Sequence, residues 1–324
     1  MSSARPLAEE LLSQRVHDAE MSLLVQLAAD PFQQIITGVQ SQRSSLESLT
    51  GSFQQIAEQA WKAAGTEIYD FVDLIMRTNV PRKPINDILA RPDIQQMLRR
   101  PFDEARTAAI DAARQAWAAG LDSGISSVTD AAHSAGLQIP DSFDAPDDSF
   151  LQKVISDIDS NTEAATQRFF STIQNTPEDE LQAALQKQTN DLGYRARYSV
   201  NVAGSRAAAQ QQESAYQQLA EKNGVAIKKV WVTRFGPGTC RTCAKLHGTV
   251  RDLDKSFPST AIYGGGKPPA VYGGLNGPPR HPNCRCFIAL YLDSFDKGPV
   301  NSKTMKQFGD TWWAELLRWL GVPV

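Results

Sequence analysis

Two stretches decide how this chain folds: "TRFGPGTCRTCAKLHG", Thr233 to Gly248, and "PPRHPNCRC", Pro278 to Cys286. Together they hold all four cysteines and two of the four histidines of a 324-residue sequence. Cys240 and Cys243 stand three apart just after a β-branched, aromatic run, a spacing that turns both sulfurs toward one point. His281, Cys284 and Cys286 arrive from the far end of a long loop, at the head of a second apolar run. Cys284 and Cys286 are two apart and so share a face of an extended chain. Four thiolate or imidazole ligands fix a tetrahedral zinc ion. The pattern therefore predicts a structural Zn2+ site drawn from Cys240, Cys243, His281, Cys284 and Cys286, with His247 as an outsider. Either the four cysteines bind with His281 beside them, or His281 replaces one; spacing leaves both open. Such a clip closes the 37-residue gap between Cys243 and His281, which has few bulky apolar groups, and its binding energy becomes folding energy. The competing reading is four reduced thiols packed in a small core. A redox C-x-x-C has less support, because no thioredoxin-like pattern surrounds "GTCRTCAK".

Outward from the cysteines the pattern is β-like. "VAIKKVWVTRF" (Val225–Phe235) ends in Gly236-Pro237-Gly238 and reads as strand then turn. "HGTVRDLD" opens a second short strand, and "CFIALYL" (Cys286–Leu292) is a compact apolar one. The segment Phe257–Pro282 between them is a loop crowded with glycine and proline.

Upstream, helices are expected. "DPFQQIITGVQSQRSSLESLTGSFQQIAEQAWKAAG" ends on Gly65, read as a C-terminal cap. Asp103–Gly120 is Ala-rich with acids in its first turn. Leu137–Ser149 reads as a polar, proline-bearing linker. Ser149 and Gln152 suggest a capping box, followed by Phe150, Val154 and Ile158 on one stripe beside Leu151 and Ile155. Thr176 as cap and Pro177 at the first helical position predict a further helix reaching Lys222, stopped at Asn223-Gly224, with Gly193 and Gly204 as points of interruption. His17 and His133 stand alone and carry no motif.

The predicted class is α+β, in four parts. Residues 1–148 form a helical scaffold or docking region, and 149–224 long helices leading into the next part. Residues 225–295 form the small Cys/His β domain, and 296–324 an amphipathic C-terminal helix. Charge follows the same division. Residues 226–324 carry 14 Lys+Arg against 6 Asp+Glu, whereas the whole chain carries 33 against 36. The basic part offers Lys228, Lys229, Arg234, Arg241, Arg251, Arg280 and Arg285 as candidate phosphate contacts. The bland alternative is that these residues solvate a small β domain or meet the acidic helices. No run of about 18 apolar residues marks a membrane span. The N-terminus lacks the apolar core of a secretory signal, so a reducing cytosol is expected for the cysteines.

The residues carry a resemblance. Trp231 on a strand, Cys240 and Cys243, Leu246 and Gly248, then Pro278, Pro279, His281, Pro282, Asn283, Cys284, Arg285 and Cys286, resemble the phage Mu F-like head morphogenesis family. The helix "YRARYSVNVAGSRAAAQQQESAYQQLAEKNG" resembles the Arg- and Ala-rich helix that precedes this motif in the family. Two departures stand out: Ala203-Gly204-Ser205-Arg206 replaces the usual Arg-Thr-Glu triplet, and His247 stands where aspartate is frequent. The resemblance covers roughly residues 195–292. It implies a non-enzymatic minor head protein of a tailed bacteriophage, acting in head morphogenesis or DNA ejection. It further implies a place at the head interior or portal vertex of the virion, host cytoplasm during assembly, and portal or major capsid protein as partner, with packaged DNA as a non-specific one.

Two rival classes are a metal-dependent or Cys/His enzyme, such as a protease or toxin-like effector, and a non-specific DNA-binding virion protein. The enzyme reading lacks a partner residue: Glu315 is the single glutamate after residue 225, and no H-E-x-x-H or H-x-E motif occurs. In the tail, Phe308, Trp312, Leu316 and Trp319 fall on one helical stripe beside Trp313. That stripe is either packed on its own chain or a docking anchor for portal or shell.

Overall fold

The computed structural model describes residues 31–78, 85–234, 239, 241–258, 276–279 and 284–297. Cys240, Arg280 and His281 lie outside them, as does the whole aromatic tail of Phe308, Trp312, Trp313, Leu316 and Trp319.

Four long helices dominate: α1 (Pro31–Thr78), α3 (Pro92–Ser134), α4 (Ser149–Asn175) and α5 (Glu178–Asn223), with a short α2 (Ile85–Leu89). At 1.5 Å per residue, the 48 residues of α1 span about 72 Å. Helices this long with mixed faces are stable only when packed. Here α1 runs antiparallel to both α3 and α5. Trp61 of α1 meets Phe102 of α3 with centroids 6.0 Å apart, and Phe102 meets Phe169 of α4 edge-on at 4.8 Å. That core continues through Ile68, Leu98, Ile158, Leu185 and Val200. Fully burying side chains of this size contributes roughly 1.5–3 kcal/mol each.

The helix boundaries differ from the sequence reading for physical reasons. Gly65 does not cap α1, which runs on to Thr78. A Cβ there would meet Thr189 Cγ2 at 2.2 Å, so the glycine lets α5 approach. The Asp103–Gly120 stretch is the middle of α3. Gly193 and Gly204 do not interrupt α5, which is continuous from Glu178 to Asn223. Gly204 instead lies against Thr50 and the carbonyl of Ala116. Ser149 is the first residue of α4 and Asp148 its cap position. Gln152 Nε2 donates to Asp148 Oδ2 at 2.9 Å, in place of the expected box. Pro177 stands one residue before α5 begins. The stop at Gly224 is as expected, with φ 61°. The linker Leu137–Ser149 straps across α5. Asn223 exchanges two 2.8 Å bonds with the backbone of Gln138, and Asp144 accepts from Gln211 and donates to Gln218.

After α5 come β1 (Lys228–Val232), α6 (Arg241–Leu246), β2 (Val250–Asp252), β3 (Phe287–Tyr291) and a 3-10 turn (Asp293–Lys297). The sheet is antiparallel in the order β2-β1-β3, with Val230 facing Val250 on one side and Ala289 on the other. The class is α+β, as the sequence indicates. The sheet shares its core with the helices. Phe32, Ile35, Ile36 and Val39 of α1, Val128 of α3 and Tyr216 and Leu219 of α5 pack with Trp231, Ile288 and Leu290. Phe32 sits edge-on to Tyr291 at 5.2 Å. All five residues of β3 are therefore buried. No helix among the described residues is long and apolar enough to cross a membrane.

Candidate metal centre

Three elements bring the cysteines together. Cys243 sits on α6, the element that follows β1 along the chain, and Cys284 and Cys286 lead into β3, the strand paired to β1. Pairing Val232 with Phe287 fixes the distance between the two arms. The sulfurs of Cys243, Cys284 and Cys286 all lie within 4.8 Å of one another, and each residue is 2% exposed. Cys243 Sγ and Cys284 Sγ are 3.8 Å apart. A tetrahedral zinc with Zn–S bonds of about 2.3 Å has ligand sulfurs about 3.8 Å from each other. The donor set and its spacing fit a zinc ion.

The surrounding shell is polar in selected places. Thr233 Oγ1 donates to the Cys243 carbonyl at 2.6 Å and accepts from Cys286 Sγ at 3.7 Å. The Thr233 amide donates to His247 Nδ1 at 3.1 Å, and His247 is 4% exposed. With its Nδ1 lone pair taken, the neutral imidazole carries its proton on Nε2, so neither nitrogen offers a lone pair to a metal. His247 Nδ1, occupied by the Thr233 amide, is not free to ligate. The remaining candidates for a fourth ligand, Cys240 and His281, lie outside the described residues. Burial pushes the Cys286 thiol well above its ordinary range. Only a cation or a strong donor set makes a thiolate stable there.

A residue from far upstream completes the shell. Arg43 of α1 is 7% exposed. Its Nη2 donates to Ser205 Oγ at 2.7 Å and to the Cys284 carbonyl at 3.3 Å. Arg43 and Cys286 line the same internal space, of about 10 Å³. That is room for one water at most. Nothing in the spacing of the cysteines pointed to Arg43, Ser205 or Thr233. Arg43 reads in sequence as an ordinary helical arginine four residues before Glu47.

The basic residues distribute differently from a DNA-facing patch. Lys229 is a correction. Its side chain is fully buried, ion-paired with Glu213 of α5, bonded to the Leu253 carbonyl at 2.8 Å and set over the Phe257 ring, so it reaches no phosphate. Lys228 pairs with Asp293 at 2.6 Å, and Arg234 with Glu47 of α1 at 2.9 Å. Arg285 is exposed. Arg251 Nη1 donates to the carbonyl of its neighbour Val250. Of Arg241 only its place at the start of α6 is described. Two of these basic residues, Lys229 and Arg234, meet acids of the long helices, which accounts for part of the charge asymmetry.

Fold and site define an α+β protein in which long helices enclose a small sheet and a buried thiol cluster. Residues 172–289 match the family described as Phage Mu protein F like protein. The matched segment, somewhat over a third of the chain, contains α5, β1, β2, the first three residues of β3 and the three clustered cysteines. It bears out the resemblance carried by the cysteine motif, and the family implies a phage head morphogenesis protein. No curated protein and no solved structure matches the chain.

Proposed function

We propose that this chain is a non-enzymatic minor head protein of a tailed phage. It resides at the head interior or portal vertex, contacts portal or major capsid protein, and serves assembly or DNA ejection. Its Cys cluster is a structural zinc clip that locks the sheet onto the helices. One observation carries the reading: the family match falls on a segment in which the thiols of Cys243, Cys284 and Cys286 are buried. A hydrolytic or deaminating zinc needs an open coordination position facing a substrate, with a general base beside it. The space beside Cys286 is too small for a substrate, and among the described residues Thr233 bonds the Cys286 sulfur, His247 the Thr233 amide and Arg43 the Cys284 carbonyl. A bound zinc would supply cross-linking energy there, and the thiolates of Cys243, Cys284 and Cys286 would hold it.

The test is the composition of purified virions. Mass spectrometry of full particles and of particles that have ejected their DNA should find the chain at low copy in the first. A gene knockout should yield heads that are defective or non-infectious. Normal infectious particles from the knockout overturn the proposal. A non-specific DNA role has weaker support, because Lys229 is buried and Lys228 and Arg234 are already paired.

A further inference from the structure

We infer that Arg43, on a helix outside the matched segment, is the electrostatic partner and positioning residue of the metal–thiolate cluster. This inference rests on the zinc reading above and deepens it. Arg43 brings a buried positive charge to the edge of the cluster. Arg43 is buried, and the acid beside it among the described residues is Glu47, whose Oε1 lies 3.5 Å from Arg43 Nε. Glu47 is shared, because its Oε2 holds Arg234 at 2.9 Å. Two guanidinium groups thus share one carboxylate. Arg234 is exposed, so the buried positive charge beside the cluster is that of Arg43.

Loading the site adds the opposite charge. Zn2+ held by three thiolates and a neutral ligand carries one net negative charge, and by four thiolates two. A buried charge is costly unless it is paired and hydrogen-bonded. Arg43 supplies both needs. Its positive charge offsets the cluster, and its Nη2, seated on Ser205 Oγ, holds the carbonyl of Cys284 and so the backbone that leads Cys284 and Cys286 into β3. Arginine differs from lysine here in its planar fork of donors, which keeps its charge when buried. The α1 helix is then part of the site, and zinc couples the N-terminal helices to the cysteine loop.

The experiment measures Zn2+ affinity of the full chain by competition with a chromogenic chelator. It compares wild type with Arg43→Met, Arg43→Lys and Ser205→Ala, and melts each protein with and without zinc. Arg43→Met should bind zinc roughly 10- to 100-fold more weakly, the usual effect of losing a residue that orients ligands. Arg43→Lys, which keeps the charge and loses the fork, should fall between it and wild type. Ser205→Ala should weaken binding in the same direction. A merely structural clamp lowers the melting of apo and loaded protein equally and leaves the dissociation constant unchanged, because affinity reports the difference between the two forms. Unchanged affinity in these variants, with wild type binding zinc, overturns the role of Arg43 alone. If Arg43→Met does not fold, Arg43→Lys and Ser205→Ala decide in the same way. Wild type that binds no zinc overturns the metal reading and this inference together.

Discussion

Replacing Gly120 by alanine should destabilise the protein, although alanine is the better helix former. The site lies at the crossing of α3 and α5. A Cβ added to Gly120 would stand 2.3 Å from the carbonyl oxygen of Gly204, 2.7 Å from Ala207 Cβ and 3.1 Å from the Ala208 nitrogen. An ordinary carbon–oxygen contact is about 3.3 Å or more. The helices must therefore separate by about 1 Å, and two of the three obstructing atoms are backbone and cannot rotate away. In an open helix, Gly→Ala gains about 1 kcal/mol. Overpacking a rigid core costs typically about 1–3 kcal/mol and occasionally more. With backbone as the obstacle the cost belongs at the upper end, and the net loss should be about 2 kcal/mol. Gly51 is the control. It lies in α1 with nothing within 4 Å of the added atom, so Gly51→Ala should stabilise by about 0.5–1 kcal/mol. Urea titration followed by helical circular dichroism reads both shifts as midpoints of opposite sign. Gly120→Ala at least as stable as wild type would refute the close-packing argument. So would two variants that move in the same direction.

Purified protein should carry about one zinc per chain, and Cys243→Ser or Cys284→Ser should lose it. Because the sheet shares its core with α1, α3 and α5, loss of zinc should lower the melting of helical and near-ultraviolet signals together; metal-free protein with an unchanged melting curve would remove the clip. Lys229→Met should cost about 3–5 kcal/mol by leaving Glu213 half-buried and unpaired, and a Lys229→Met, Glu213→Leu double variant should recover much of it. Chemical denaturation of the three proteins checks this, and a harmless single variant would contradict the burial. If the exposed basic residues touch packaged DNA, duplex binding should be non-specific and fall by about a factor of 10 or more between 50 and 200 mM salt, with Arg285→Ala reducing the slope; no binding at low salt leaves these residues as solvated and paired charges. A Trp312→Ala, Trp319→Ala variant that folds normally yet fails to enter heads would mark the tail as an anchor, whereas early melting of the isolated protein would make it core.

Some of this molecule could be read directly. The cysteine spacing named the three residues that converge, because thiols at a loop's two ends pointed to a shared partner. The strands at Lys228–Val232, Val250–Asp252 and Phe287–Tyr291 carried β-branched and aromatic runs, and Gly224 marked the end of α5 through its left-handed backbone. Helix extents were hidden where glycine serves two roles. Gly65, Gly120 and Gly204 look like breaks in a one-dimensional pattern, yet they are places where one helix admits another. The stretch Val202–Ala209 is buried on every face, since α1, α3, α4 and the cysteine loop surround it, so it shows no amphipathic period to read.

What the sequence determined by itself, then, was local: helix and strand formers, a cap, and a set of ligating side chains at a spacing that only a shared site explains. What the tertiary structure decided was which charges meet. Lys229 changed from a surface cation to a buried partner of Glu213, and Arg43 from an ordinary helical residue to the neighbour of Cys284, 241 positions away. Electrostatic roles of this kind depend on burial and on the distance to the opposite charge. Both are set by how long helices pack against a sheet, and neither is written in the order of residues along any one of them.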